Sequence, residues 1–443
     1  MIDREPTIQV GILERTPQAE GTFQGAFELP TTVRLEGAFS ASVSGGRIVL
    51  RDAAGTEVMR GENILCRPIG ASTFLLKNVV IGIQFHWERK EEQVFEGSLR
   101  LLADGDAVTV INEIGVEAYL RSVISSEMSA EAPMELLRAH AITSRSWLVA
   151  MLERQKKFKQ VGVPSRRSRE TTDEIVRWYD REDHRLFDVC ADDHCQRYHG
   201  ITKIISRAAD EAVRDTRGTF LVHGGGICDA RFYKSCGGRT ELFENSWEDA
   251  HVPYLESIAD AAVEHPVIDS EEKAEVWVHA SPEAYCNTTD GRILRQVLPS
   301  FDRETIDFFR WTVEYRREEL EEILRTRSGI DFGTLRDLIP LQRGPSGRIY
   351  RLKIVGSNRT VVVGKELEIR KWLSRSHLYS GAFVVHTERD ASGIPVRFTL
   401  HGAGWGHGVG LCQIGAAVMA AKGFPADRIV KHYFRGAELK KLY

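Results

Sequence analysis

Four stretches of this chain hold residues whose types and spacing could do chemistry. The most pronounced is His401-Gly402-Ala403-Gly404-Trp405-Gly406-His407-Gly408-Val409-Gly410, which runs on into Leu411-Cys412-Gln413-Ile414-Gly415-Ala416. Glycine at every second position weakens a strand unless something must approach the backbone closely. Gly-rich loops ahead of helix N-termini cradle anions. Neither phosphate-loop spacing, Gly-x-x-x-x-Gly-Lys-Ser/Thr or Gly-x-Gly-x-x-Gly, is present here. Two histidines and a tryptophan suit a groove in which bare backbone meets a sugar-like ligand.

The second stretch is Cys190-Ala191-Asp192-Asp193-His194-Cys195, followed by Tyr198 and His199. Thiolate and imidazole are zinc ligands. The C-x3-H-C spacing lets Cys190, His194 and Cys195 converge from one loop. A closed site needs a fourth donor, for which Cys228, Cys236, His199 and a water are all open. Two reduced cysteines beside a loop histidine are the plainer alternative. The third stretch, Ser125-Ser126-Glu127-Met128, lies between two helical patterns. Near a helix N-terminus the Glu127 carboxyl would be favoured in its ionised form, while burial would push its pKa the other way, toward the raised value a general acid needs. The same serine and glutamate spacing also fits a helix cap. The fourth, Phe232 to Glu241, runs a strand into a turn at Gly237-Gly238 that carries Ser235 and Cys236. No Gly-x-Ser-x-Gly elbow is present. It reads as a hairpin whose glycines allow close backbone approach, with Cys236 available as a metal ligand.

The elements that must position these residues are legible from periodicity. Residues 6–115 alternate as strands, with Asp104-Gly105 as a hairpin turn. At Gly115 the period changes. Val116, Tyr119, Leu120, Val123 and Ile124 predict a short helix to about Ser126. A second helix is expected from Pro133, with Leu137, Ala141, Ser144, Leu148 and Met151 as its apolar face. The basic stretch Arg154 to Arg169 reads as a solvated loop, since Glu170, Asp173 and Glu174 follow at once. A helix is expected from Ile204 to about Val213, and another over 411–422. The fold class is α+β: a β-rich core with a few packed helices. The boundaries are a β region at 1–94, core segments at 95–261 and 348–443, and a mostly helical insertion at 262–347.

Composition narrows the function classes. The 443 residues are 42% apolar and 28% charged, with 38 glycines and 14 prolines, ordinary values for a globular protein. A net charge of −4 argues against nucleic-acid binding by bulk charge. Seven cysteines, an odd number in a long chain, do not form a small secreted disulfide scaffold. No apolar run approaches the ~18 residues needed to span a bilayer. Met1 to Pro6 has no basic segment leading into an apolar run, so no signal peptide is read in this chain.

Taken in order, these motifs resemble the stage II sporulation protein D/amidase-enhancer family (the SpoIID/LytB domain). The family's opening strand is matched by Phe95-Glu96-Gly97-Ser98-Leu99. Its Ser-Glu-Met core matches Val116 to Met128, and its following helix Leu137 to Arg145. Its Gln-x-Tyr-x-Gly matches Gln196-Arg197-Tyr198-His199-Gly200, and its Ser-x-Gly-Gly-x-Thr-Glu matches Ser235 to Glu241. The closing glycine-rich motif is complete from His401 to Ala416. Ser129 stands where the family commonly has proline, and Cys412 where it has serine.

The resemblance implies a lytic transglycosylase acting on peptidoglycan glycan strands, with Glu127 as the catalytic acid and a 1,6-anhydro-muramic product. It implies substrate binding by Arg145, Gln196, Tyr198, Ser235, Gly237, Gly238, His401, Gly404, Gly406, His407, Gly408 and Gln413. It also strengthens zinc binding by Cys190, His194 and Cys195, since some members carry a Cys/His cluster just before the Gln-x-Tyr motif. A cell-envelope location follows from that substrate. The alternative is a non-catalytic module that grips glycan and enhances a partner cell-wall amidase.

Overall fold

The alternation of residues 6–115 and the break at Gly115 reappear directly as structure. The computed structural model describes residues 2–82, 88–129, 132–161, 168–178, 184–192, 194–204, 207–297 and 307–443. Among them the helices are α1 (Val116–Glu127), α2 (Met134–Val161), α3 (Arg207–Asp215), α4 (Glu271–His279), α5 (Gly291–Val297), α6 (Arg317–Ser328), α7 (Glu366–Trp372), α8 (Gln413–Ala421) and α9 (Ala426–Tyr433). Strands outnumber helices, and the fold is α+β. None of the described helices is long and apolar enough to cross a membrane.

The chain divides into two compact units. The first comprises Met1–Glu131, Glu182–Thr219 and Lys441–Tyr443; the second comprises Ala132–Arg181 and Phe220–Lys440. The first unit is built on an 11-stranded sheet that includes every strand before α1. Ala107–Gly115 pairs with Thr7–Thr16 on one side and Ser98–Asp104 on the other, and Val189–Cys190 adds in parallel at the edge. The expected hairpin closes with Ala107 opposite Asp104.

A continuous run of aromatic contacts fills this unit. Phe23 stacks on Phe39 at 4.4 Å and touches Phe27, which meets Phe74. Phe74 stacks on Phe95, Phe95 packs on Tyr198, and Tyr198 stacks on Tyr119 of α1 at 5.0 Å. The sheet and these rings run straight through position 94, so the N-terminal β region and the start of the core share one interior. The five apolar residues of the α1 stripe are all buried. No side chain of Gly115 can cap the helix; Glu5 accepts the Glu117 N–H at 3.1 Å instead, which satisfies one of the free helix-end donors.

In the second unit α2 starts where Pro133 places it and buries the expected stripe. It continues to Val161, so the basic residues from Arg154 to Lys157 ride on a helix rather than a loop. Residues 162–167, the middle of that stretch, lie outside the described residues. The segment 262–347 contributes α4, α5 and α6, but also two strands. Arg310–Arg316 pairs with Pro395–Ala403, and Leu335–Arg343 pairs with Ile349–Gly356. A core around Trp372, Trp311, Leu352 and Ile354 ties the segment to the strands that follow it. The closing helix begins at Gln413, two residues later than the sequence pattern places it, and α9 follows.

Candidate functional site

Each unit carries its own constellation of chemical groups. In the first, Glu127 is the last residue of α1, at the carbonyl end of that helix, and is 8% exposed. Its Oε1 accepts the backbone N–H of Arg197 at 3.3 Å. One turn earlier, Ser122 Oγ accepts the N–H of His199 at 3.1 Å. The segment from Gln196 to His199 is therefore laced along α1, and the Ser-Glu-Met and Gln-x-Tyr motifs meet at the Glu127 carboxylate.

The other end of the same segment carries the thiols. His184 Nε2 lies 3.3 Å from Cys195 Sγ, and His194 Nδ1 lies 3.5 Å from Cys195 Sγ and 3.9 Å from Cys190 Sγ. All four donor atoms fall within 4.8 Å of one another. Tetrahedral zinc with bonds of about 2.0–2.3 Å needs donor separations of about 3.3–3.8 Å. The set fits a zinc ion, with His184 as the fourth donor. That histidine stands six residues upstream of Cys190 and takes the place for which the sequence offered Cys228, Cys236, His199 or a water. A hydrogen bond from Cys195, opposed by burial and helped by His184 and His194, holds the Cys190 thiol far down, at about 2. Such a thiol is a ready metal ligand.

Tyr198 is interior. It is 1% exposed, stacked on Tyr119, and donates its hydroxyl to Asn112 Oδ1 at 2.6 Å. Gln196 is equally buried.

In the second unit the glycine-rich loop lies against the segment from Ser235 to Gly238. Ser235 and Trp405 exchange main-chain hydrogen bonds at 3.0 and 2.7 Å, and Phe232–Tyr233 pairs in parallel with Leu411–Cys412. The expected hairpin is thus a contact between two distant segments. A Cβ on Gly404 would sit 2.7 Å from the Cys236 carbonyl carbon, so the glycine is needed where two backbones cross. Arg145, Ser235, Gly237, Gly238, Gly404, Gly408 and Gln413 are all buried. His401, Gly406 and His407 are the partly open members of the expected binding set.

His407 packs edge-on against Tyr233 and Trp247, and its Nδ1 accepts the Val409 N–H at 3.1 Å. Burial, then the charges of Arg231, Arg370 and Arg348, hold it neutral. A neutral ring whose Nδ1 accepts carries its proton on Nε2, and the Phe232 main chain takes a hydrogen bond from the ring. His401 joins a cluster that the sequence did not reveal. Its ring is 5.0 Å from those of His279 and His386, and Glu275 accepts from both of these at 3.0–3.1 Å.

Gln413 faces inward, its Nε2 3.1 Å from His140 Nε2, while His140 Nδ1 meets Ser144 Oγ at 3.2 Å. Burial, then the charge of Lys234, lowers the His140 pKa from 6.5 to about 3. Between those values the unfolded chain binds a proton that the folded chain does not. Stability therefore falls as pH drops through this window, by about 1.4 kcal/mol per unit. Between pH 6.5 and 5 His140 is expected to contribute ~2 kcal/mol of destabilisation. Urea unfolding at several pH values checks this; an equal pH slope in a His140→Asn chain would refute it.

Comparison with known proteins agrees with the motifs. Residues 104–223 match the model of the stage II sporulation protein family, and residues 241–410 match a domain of unknown function (DUF8618). An uncharacterized protein of Brachyspira hyodysenteriae (strain ATCC 49526 / WA1) is 27% identical over 346 residues, 78% of this chain and 72% of that one. Stage II sporulation protein D of Bacillus amyloliquefaciens is 24% identical over 331 residues, covering 75% of this chain and 76% of its own. Its counterpart from Bacillus subtilis (strain 168) is 23% identical over 335 residues, with the same coverage.

Proposed function

We propose, from this relationship to the stage II sporulation proteins and the cell-wall role it supports, that the chain is a peptidoglycan lytic transglycosylase with Glu127 as its acid and base. The observation that carries this reading is the Glu127 carboxyl, buried at the end of α1 and fixed by the main-chain N–H of Arg197. Most glycosidases need two carboxylates, the second to act as nucleophile or to activate water. Here one suffices. Glu127 gives its proton to the oxygen that links C1 of muramic acid to the next sugar, and that bond breaks. The resulting carboxylate takes the proton of the muramic C6 hydroxyl, whose oxygen bonds to C1. No water is consumed, and Glu127 ends protonated. The nucleophile belongs to the same ring, so its effective concentration is high.

A zinc ion bound by His184, Cys190, His194 and Cys195 would supply rigidity. The segment that holds these donors continues directly to Arg197, so anchoring one end fixes the N–H that orients Glu127. Within the second unit, His401 and His407 are the partly open side chains of the expected binding set. A peptidoglycan substrate places the protein at the cell envelope.

The test is product chemistry. Incubated with peptide-free glycan strands, the protein is expected to generate 1,6-anhydro-muramic ends, read by mass spectrometry. Binding of strands without such ends would overturn the proposal and leave a non-catalytic glycan-binding enhancer of a partner amidase. Cys195→Ser should lose the metal of the first unit and slow turnover by about 10–100-fold. Full activity in a Cys195→Ser chain shown to lack that metal would separate the cluster from the reaction.

A further inference from the structure

The second unit contains a group of side chains that the reading above does not use. Cys236, Asp260, Cys286 and Cys412 converge from four separate segments, and their donor atoms all lie within 4.8 Å of one another. Each is at most 2% exposed. Cys236 Sγ and Cys286 Sγ are 3.4 Å apart. That is far beyond the ~2.0 Å of a disulfide and close to the ~3.7 Å between two sulfurs on one tetrahedral zinc.

Main-chain N–H groups point at two of the sulfurs. Cys412 Sγ receives the N–H groups of Cys236 at 3.3 Å and of Gly415 at 3.4 Å. Cys236 Sγ receives the N–H of Gly238 at 3.4 Å. Cys412 also caps α8, so its sulfur sits at the positive end of a helix. Asp260 is likewise met by two donors. The Tyr433 hydroxyl donates to its Oδ1 at 2.7 Å and the Cys286 N–H to its Oδ2 at 3.0 Å. The His432 ring stands 3.9 Å away, beyond hydrogen-bond reach. A carboxylate so deep in a protein is stable only when paired or bound to a metal. A Cβ on Gly415 would press to 2.6 Å from both Asp260 oxygens, so the glycine of the Gln-x-Gly-Ala motif makes room for this group.

We propose that Cys236, Cys286, Cys412 and Asp260 bind a second, structural zinc ion. Three thiolates and a carboxylate select a soft, tetrahedral divalent ion, and the donor spacing leaves room for one ion rather than a multi-metal cluster. With four protein donors the site is closed, which makes its role structural. It cross-links the segment under the glycine-rich loop, the start of α8, and the 262–347 segment through Cys286.

The decisive chain is the double variant Cys190→Ser/Cys195→Ser, which disables the metal site of the first unit. Purified without chelator, it is expected to carry one zinc per chain by elemental analysis and native mass spectrometry. Cys236, Cys286 and Cys412 should resist alkylation until the protein is denatured with a chelator. A double variant without zinc would overturn the proposal, whether the three thiols alkylate freely or Cys236 and Cys286 are found as a disulfide. The unmutated chain needs no substitution to fold, and its native mass should show two zinc ions. One ion there, absent from the double variant, would equally refute the inner site.

Discussion

Replacing Glu127 by glutamine is expected to lower the formation of anhydro-muramic ends by about 10²–10⁴-fold, the range that a positioned proton-transfer group supplies. The substitution suits the question because it changes little else. Glutamine has the size of glutamate, and its Oε1 can still accept the Arg197 N–H that holds Glu127 at 3.3 Å. What it cannot do is give a proton to a leaving oxygen and take one back. The fold of the variant should be unchanged by circular dichroism and thermal midpoint, while product falls toward background. Strand binding should persist, since the lost step follows binding. A variant that keeps activity within tenfold of the parent would remove Glu127 from the chemistry.

The local elements were readable and the long-range meetings were not. Val116, Tyr119, Leu120, Val123 and Ile124 announce α1 to within a residue of its end, because a helix packed on one side repeats its apolar residues at a fixed interval. Asp104-Gly105 announces its hairpin for an equally local reason. The basic run after Arg154 misleads, because charge marks an exposed surface without distinguishing loop from helix. Lysine and arginine are good helix formers, and α2 simply continues through them. The strand Arg310–Arg316 alternates Trp311, Val313 and Tyr315, but the charged helix beginning at Arg317 dominates the pattern around it. The ligand sets show the deeper limit. Cys190, His194 and Cys195 are neighbours in sequence and could be grouped. Cys236, Cys286 and Cys412 are spread over more than a hundred positions, and only the packing of α8 against these segments brings them together.

The glycine-rich loop offers the second large effect, and it is one of stability. Read as sequence, its alternate glycines suggest a surface kept bare for a ligand; in the fold much of that bareness is filled by the protein itself. Gly408 has φ +82°, and a Cβ there would lie 2.6 Å from Nη1 and 2.7 Å from Nε of Arg348, closer still to Cζ. The far end of an arginine usually swings away at little cost. This one cannot, because Arg348 is buried and donates to the carbonyls of Gly406 and Cys236 and to Ser346 Oγ, at 3.0–3.3 Å. Moving the guanidinium breaks charge-assisted bonds that hold the loop to its floor. Gly408→Ala should therefore combine a left-handed backbone penalty with overpacking and lost hydrogen bonds, about 3–5 kcal/mol in all. Gly393 is the control: it has φ +78° with nothing within 4 Å of a new Cβ. Gly393→Ala should carry the backbone term alone, roughly 1–2 kcal/mol. Urea unfolding of both variants measures the difference. Equal destabilisation would mean that Arg348 yields, and that the loop is held by something other than its buried guanidinium.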